Sequence, residues 1–161
     1  MMTKFLLNQS KFISILMFGM MAGFFATYSF NVNYAMLQVD GATYATVQSL
    51  FNINVRHLGF FLCFFGAAVA PLITSLLLFI NAERRKALIW AVLSLLYILG
   101  IIVFTKFINL PLNYYTESWD PKHLPNDWQE IRDNWNQANL YRTWVSIGLF
   151  SIALSLSIQR T

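Results

Sequence analysis

Apolar residues fall along the chain in four long runs, and each predicts one membrane-crossing helix. A helix needs about 20 mainly apolar residues to cross a hydrocarbon core ~30 Å thick. The first run lies within 12–39 and meets no charge before Asp40, which places a span at 12–36. The second covers 58–80, again without charge, and the third 87–105. The fourth covers 141–158, with Arg142 at its start. The long stem of Arg142 is expected to let its charged tip snorkel to the membrane surface. Two polar connections separate the spans, and a helix is expected in each, over 42–57 and 126–140. The first of these is expected to run straight into the second span. The predicted fold class is all-α: a four-helix transmembrane bundle with extramembrane helical extensions on the non-cytoplasmic side, forming one integral membrane domain over 1–161.

Composition narrows the alternatives. Of 161 residues, 57% are hydrophobic and 11% charged, against roughly 25% charged in an ordinary soluble domain. Disorder needs the opposite balance. A disulfide scaffold is excluded by the single cysteine, Cys63, which reads as a small core residue in mid-span. A soluble globule would lack polar residues to cover its surface. The first run exceeds the hydrophobic region of a cleaved signal peptide and passes into Tyr28, Asn31, Asn33 and Tyr34, so a permanent helix is expected.

Charge placement predicts orientation. Lys4, Lys11, Arg84, Arg85, Lys86 and Arg160 fall on one side, with Glu83 as their only acid. The positive-inside rule puts that side, and both termini, in the cytoplasm, which suits a bacterial inner membrane. Asp40, Glu117, Asp120, Asp127, Glu130 and Asp133 fall on the other side. The net charge of +4 thus reflects topology, and no basic stripe points to nucleic acid. Gly19 and Gly23 form a small-xxx-small pair that lets helix backbones approach, within the bundle or in a homo-oligomer.

The outer connections carry the candidate chemistry. In the first, Asp40 or Thr43 can cap a helix on which Gln48, Asn52 and Arg56 share one face at i, i+4 and i+8. Arg56, beside His57, points either into the bundle, as an anion partner, or toward lipid headgroups. The second connection opens with Asn109-Leu110-Pro111-Leu112-Asn113, and Pro111 is expected to end the third span. An irregular loop is expected from Tyr114 to Pro125, and Asn126 or Asp127 then starts a helix. On it Trp128, Arg132, Trp135, Asn139 and Arg142 form one helical stripe. An aromatic and polar stripe fits a cavity in which guanidinium groups stack on rings; the other reading is a belt at headgroup level.

These elements resemble the anthrone oxygenase-like family of small integral membrane proteins. The resemblance lies in the Gly-rich first span from Gly19 to Tyr34, the Gln48-x-x-x-Asn52-x-x-x-Arg56 element, the Asn109-x-Pro111-x-Asn113 element, and the Trp128-x-x-x-Arg132-x-x-Trp135 run reaching Arg142. It implies a four-helix membrane bundle and, for some members, oxidation of anthrones to anthraquinones by O2 without metal or flavin. Members commonly carry a histidine where this chain has Asn139, and an amide accepts no proton near neutral pH.

No other chemistry stands out. His57 and His123 are the only histidines, and no His, Cys and carboxylate group shows metal-ligand spacing. No nucleotide loop or nucleophile motif is present. No metal or cofactor is expected. An oxygenase of this kind binds a hydrophobic aromatic molecule that forms a stabilised carbanion, and needs a base and an oxyanion site. Arg56, Arg132 and His57 are the catalytic candidates, with Asp133 as a second base. Gln48, Asn52, Asn109, Asn113, Trp128, Trp135, Asn139 and Arg142 are the binding candidates. The alternative is a non-enzymatic membrane protein that binds a lipid or quinone-like ligand, or a small subunit of a membrane complex. A transporter or channel fits least, because the spans offer no interior acid or base for an ion path.

Overall fold

The computed structural model describes residues 2–158, so Arg160 lies outside the described residues. Helix α1 begins as Met2–Thr27, passes through a π-helical turn over Tyr28–Val32 and ends with Asn33–Met36. Helix α2 spans Gly41–Asn54 and α3 spans Leu58–Ile80. Helix α4 is composite: Arg84–Tyr97 is α-helical, Ile98–Val103 and Thr105–Asn109 are π-helical, and Leu110–Glu117 returns to α. Helix α5 is continuous over Trp128–Ile158. The described residues contain no strand, only an isolated bridge between Asp120 and His123.

Helices α1, α3, α4 and α5 are long and apolar enough to cross a membrane. Neighbours around the bundle run α4, α3, α1, α5 and back to α4. Phe18, Met21, Phe25, Phe64, Trp90 and Tyr97 are buried between them, while Leu62, Leu76, Phe79, Leu88 and Phe107 face outward. An apolar exterior around an apolar core is the arrangement a lipid-facing bundle requires. Between such helices packing and hydrogen bonds replace the hydrophobic drive. A Cβ on Gly19 would lie 3.0 Å from the Phe150 ring, so this glycine seats α5 against α1, whereas nothing lies near Gly23. Ser14 and Thr74 join α1 to α3 at 3.0 Å, and the Ser94 hydroxyl of α4 donates to the Ala68 carbonyl of α3 at 2.7 Å. Cys63 is half-buried, with its thiol 3.9 Å from Met20 Sδ.

Several boundaries differ from the sequence reading. Helix α1 extends back to Met2 rather than starting near residue 12. Helix α2 does not continue into α3: His57 adopts an extended backbone, and its Nδ1 accepts the Phe60 N–H at 3.4 Å as the cap of a new helix. Helix α4 does not end at 105 but continues through Pro111 to Glu117. Pro111 sits in the first turn of the final α-helical segment, where a missing N–H costs little. The outer helix expected at 126–140 and the fourth span are one rod, about 46 Å long at 1.5 Å per residue.

Above the bundle, α2, the end of α4, the 118–127 link and the start of α5 form a second core. Met36, Tyr44, Ala45 and Trp119 are buried there against Leu124, Trp128 and Ile131. Asp40 caps α2: its carboxylate accepts the Thr43 N–H and the Thr43 hydroxyl, both at 2.9 Å. These bonds hold the Asp40 carboxyl below the usual carboxylate range. Next to it, a Cβ on Gly41 would fall 2.5 Å from Leu124 Cδ1 and 3.1 Å from the Trp128 ring, so the link crosses α2 only over a glycine.

At the opposite end, α3 closes with a Schellman motif: the Glu83 N–H donates to the Leu78 carbonyl and the Ala82 N–H to that of Phe79, both at 3.0 Å. The left-handed position is Ala82, with φ 62°, where a Cβ is unfavourable by about 1 kcal/mol. Ala82→Gly is therefore expected to stabilise the bundle by up to about 1 kcal/mol, read as a rise in melting temperature in detergent; an unchanged or lower value would contradict the motif.

Candidate functional site

The site starts from one arginine. Arg142 of α5 is 7% exposed and lies inside the bundle; it does not snorkel. Its Nη2 donates to Asn139 Oδ1 at 2.8 Å, and its Nη1 lies 3.4 Å from Thr105 Oγ1 of α4. The guanidinium carbon stacks 4.6 Å from the Phe25 ring centre and 5.9 Å from that of Trp135. Among the described residues no carboxylate pairs with it, and its Nε has no partner. A desolvated cation without a counter-ion costs several kcal/mol, so the surrounding dipoles must be arranged around it.

Asn139 organises them. Its Oδ1 accepts from Arg142, and its Nδ2 donates to Ser29 Oγ at 2.8 Å and to the Phe25 carbonyl at 3.2 Å. Ser29 and Thr143 share a hydrogen bond at 2.9 Å. A second string of polar groups lies on the other side of Trp135, whose indole N–H donates to Asn113 Oδ1 at 2.6 Å. Tyr28 faces the same indole at 4.6 Å between ring centres. The Tyr28 hydroxyl donates to Gln48 Oε1 at 2.8 Å, Gln48 Nε2 to Asn52 Oδ1 at 3.0 Å, and Asn52 Nδ2 to Thr116 Oγ1 at 2.9 Å. Asn109 of α4 is wholly buried, and neither amide atom has a partner. Tyr97 is also fully buried, with an unbonded hydroxyl. Unsatisfied polar atoms of this kind are uncommon and gather where a ligand or water completes the network.

Local backbone form explains the convergence. Tyr28 and Ser29 open the π-turn of α1, while Thr105 and Asn109 bound the second π-turn of α4. A π-turn places side chains off the 3.6-residue period and is frequent at functional sites. Outside the cluster, α4 and α5 form a groove of about 510 Å³ walled by Phe104, Phe107, Ile108, Asn134, Gln137 and Tyr141. Phe104, Ile108 and Tyr141 are the chain neighbours of Thr105, Asn109 and Arg142, and the Phe104 and Tyr141 rings stack at 4.3 Å.

The structure gathers Gln48, Asn52, Asn109, Asn113, Trp135, Asn139 and Arg142 in one interior. It leaves the three catalytic candidates outside. Arg56 turns outward to form an ion pair with Glu117 and lies 5.4 Å from the Tyr114 ring centre. His57 is exposed as the α3 cap. Arg132 is half-buried at the rim, bonded to Asp133 at 2.9 Å and stacked over Trp128 at 5.3 Å. Trp128 itself packs into the outer core. The sequence reading missed Tyr28, Ser29, Tyr97, Thr105, Thr116 and Thr143 as site residues. The available signal was helical spacing: Ser29 lies four residues past Phe25, and Thr143 four past Asn139.

The family profile described as anthrone oxygenase matches residues 60–152. The chain belongs to the anthrone oxygenase family. The anthrone oxygenase match covers nearly all of α3, all of α4 and most of α5, and so includes Tyr97, Asn109, Asn113, Trp135, Asn139 and Arg142. Tyr28, Gln48 and Asn52 lie before it. No curated protein and no solved structure gives a significant match.

Proposed function

We propose that this chain is a membrane oxygenase that uses O2 to oxidise a hydrophobic polycyclic phenol or ketone such as an anthrone. The observation that carries the reading is Arg142, a buried guanidinium with no carboxylate partner among the described residues, surrounded by aromatic rings. Its missing counter-ion is the substrate's enolate oxygen. A unit charge about 4 Å away, at an effective dielectric near 20, favours the anion by about 4 kcal/mol, which is roughly a thousandfold in acidity. The Tyr97 hydroxyl, buried and unbonded, passes the substrate's proton on to water, which returns a proton to the peroxide in the O2 step, and Asn109 orients the oxygen. The resulting carbanion reduces O2 directly. Carbon–oxygen bond formation gives a hydroperoxide, and loss of one water leaves the new carbonyl, so one CH2 group and one O2 become C=O and H2O. Substrate reaches the cluster from the bilayer through the α4–α5 groove, past the Phe104 and Tyr141 rings. The outer cap faces away from the cytoplasm of a bacterial inner membrane, and both termini lie on the cytoplasmic side.

The test is O2 uptake by the purified protein in detergent with an anthrone, followed together with anthraquinone absorbance. A rate above that of empty micelles, with one O2 consumed per quinone formed, is the expected result. A specific observation favours a second reading: the cluster contains amides and hydroxyls but no carboxylate or imidazole among its described residues, so its proton-accepting power is low. On that reading the same interior binds a quinone-like molecule without turnover. Saturable binding of an anthraquinone with O2 uptake at the uncatalysed rate would establish it in place of the oxygenase.

A further inference from the structure

A second cavity lies at the far end of the bundle, away from the arginine cluster. It occupies about 770 Å³ where the first turns of α1, the start of α4 and the end of α5 meet. Its walls are apolar where the helices enter the bundle, with Phe12, Ile15, Ile89, Trp90 and Leu156. Its rim is basic, with Lys11, Arg85 and Lys86. Among the described residues Glu83 is the acid beside this rim; its Oε2 lies 2.7 Å from Lys86 Nζ. Lys86 and Lys11 hold the Glu83 carboxyl below the usual range. The rim therefore retains an excess of positive charge even with Glu83 ionised.

Helix α1 shows where this rim sits relative to the bilayer. A hydrocarbon core ~30 Å thick takes about 20 residues of helix, and the apolar part of α1 starts at Phe12, one residue after Lys11. Lys11, Arg85 and Lys86 thus lie at headgroup depth, directly over an apolar cleft that opens between helices. Basic pockets between transmembrane helices, with acyl-sized clefts beneath them, fit the phosphate and chains of one lipid molecule.

We propose that this cavity is a specific site for an anionic diacyl phospholipid. The phosphate sits among Lys11, Arg85 and Lys86, and one acyl chain lies along Phe12, Ile15 and Leu156 against the Trp90 ring. Charge complementarity selects the occupant: a zwitterionic lipid fills the same cleft but adds its own cation to a basic rim. Each basic group near a phosphate contributes roughly a fivefold preference.

Trp90 provides the readout: it is buried in the core yet lines the cavity, at the short range over which a brominated acyl chain quenches an indole. The full-length protein is reconstituted in phosphatidylcholine vesicles holding a small, equal share of either brominated phosphatidylglycerol or brominated phosphatidylcholine. The expected result is stronger quenching by the anionic lipid, and loss of that difference in Trp90→Phe. Lys11→Gln with Arg85→Gln is expected to reduce the preference by roughly 25-fold, while leaving far-ultraviolet helicity unchanged, since both residues lie on the bundle's rim. Glu83→Gln, which releases Lys86, is expected to raise the preference. Equal quenching by the two lipids in the wild type, or a preference that survives the double substitution, overturns the proposal.

Discussion

Arg142→Met is expected to abolish O2 uptake with an anthrone while leaving the bundle folded. Methionine keeps the stem volume and removes the charge, so the enolate loses the one cation among the cluster's described residues. Removal of one dominant oxyanion-stabilising group lowers turnover by roughly 10²–10³-fold. The protein does not become correspondingly fragile. The substitution gives up hydrogen bonds to Asn139 and Thr105, but it also removes a desolvated charge with no carboxylate partner among the described residues, and the two effects offset. Arg142→Lys keeps a cation but loses the planar fork that spans Asn139 and Thr105, so intermediate turnover is expected. Anaerobic stopped-flow absorbance of the bound enolate separates deprotonation from the O2 step: the Met variant should form no enolate. Wild-type turnover in Arg142→Met would remove this residue from the chemistry.

The second large effect falls on stability. Asn139→Leu deletes the acceptor of Arg142 and the donor to Ser29 and the Phe25 carbonyl in one step. The guanidinium then retains Thr105 at 3.4 Å as its only hydrogen-bond partner among the described residues. Breaking a buried charged network by removing one partner costs about 3–5 kcal/mol, which for a chain of this size lowers the melting temperature by roughly 10 °C. The double substitution Asn139→Leu with Arg142→Leu removes the stranded charge as well, and most of the loss is expected to return. Reversible unfolding in mixed micelles for wild type, both singles and the double gives the coupling energy directly. Additive single losses would show that the two side chains do not depend on each other.

The fold was legible in the sequence to the extent that apolar runs report it. Four runs became four helices capable of crossing a membrane, because such runs have no other way to bury themselves. The extensions were less legible. Pro111 reads as a stop, and only the π-turn before it shows why the chain tolerates it. His57 reads as a continuation of a helix, yet its side chain is a cap. In the site, the stripe on α5 was visible from spacing, but it serves two purposes: Trp135, Asn139 and Arg142 enter the bundle, while Trp128 and Arg132 pack the outer cap. Arg142 was misplaced for a physical reason. An arginine near a span end has the same sequence signature whether its tip rises to the headgroups or turns inward, and only the amides and hydroxyls supplied by other helices decide. Thr105, which bonds Arg142, and Ser29, which bonds its neighbour Asn139, come from π-turns that helical periodicity does not reveal.

The π-turn over Thr105–Asn109 makes α4 sensitive to length rather than to composition. Each residue advances an α-helix by about 100°. Deleting one apolar, outward-facing residue there, such as Phe107, would let the segment relax to an ordinary α-helix at no loss of hydrophobicity. Because a π-turn holds about one residue more than an α-turn, the two changes nearly cancel, and everything beyond it would keep its facing, with Asn113 near Trp135 and Thr116 near Asn52. A single missing codon would thus erase the bulge that sets Thr105 and Asn109 off the helical period, while the roof of the site stayed where it is.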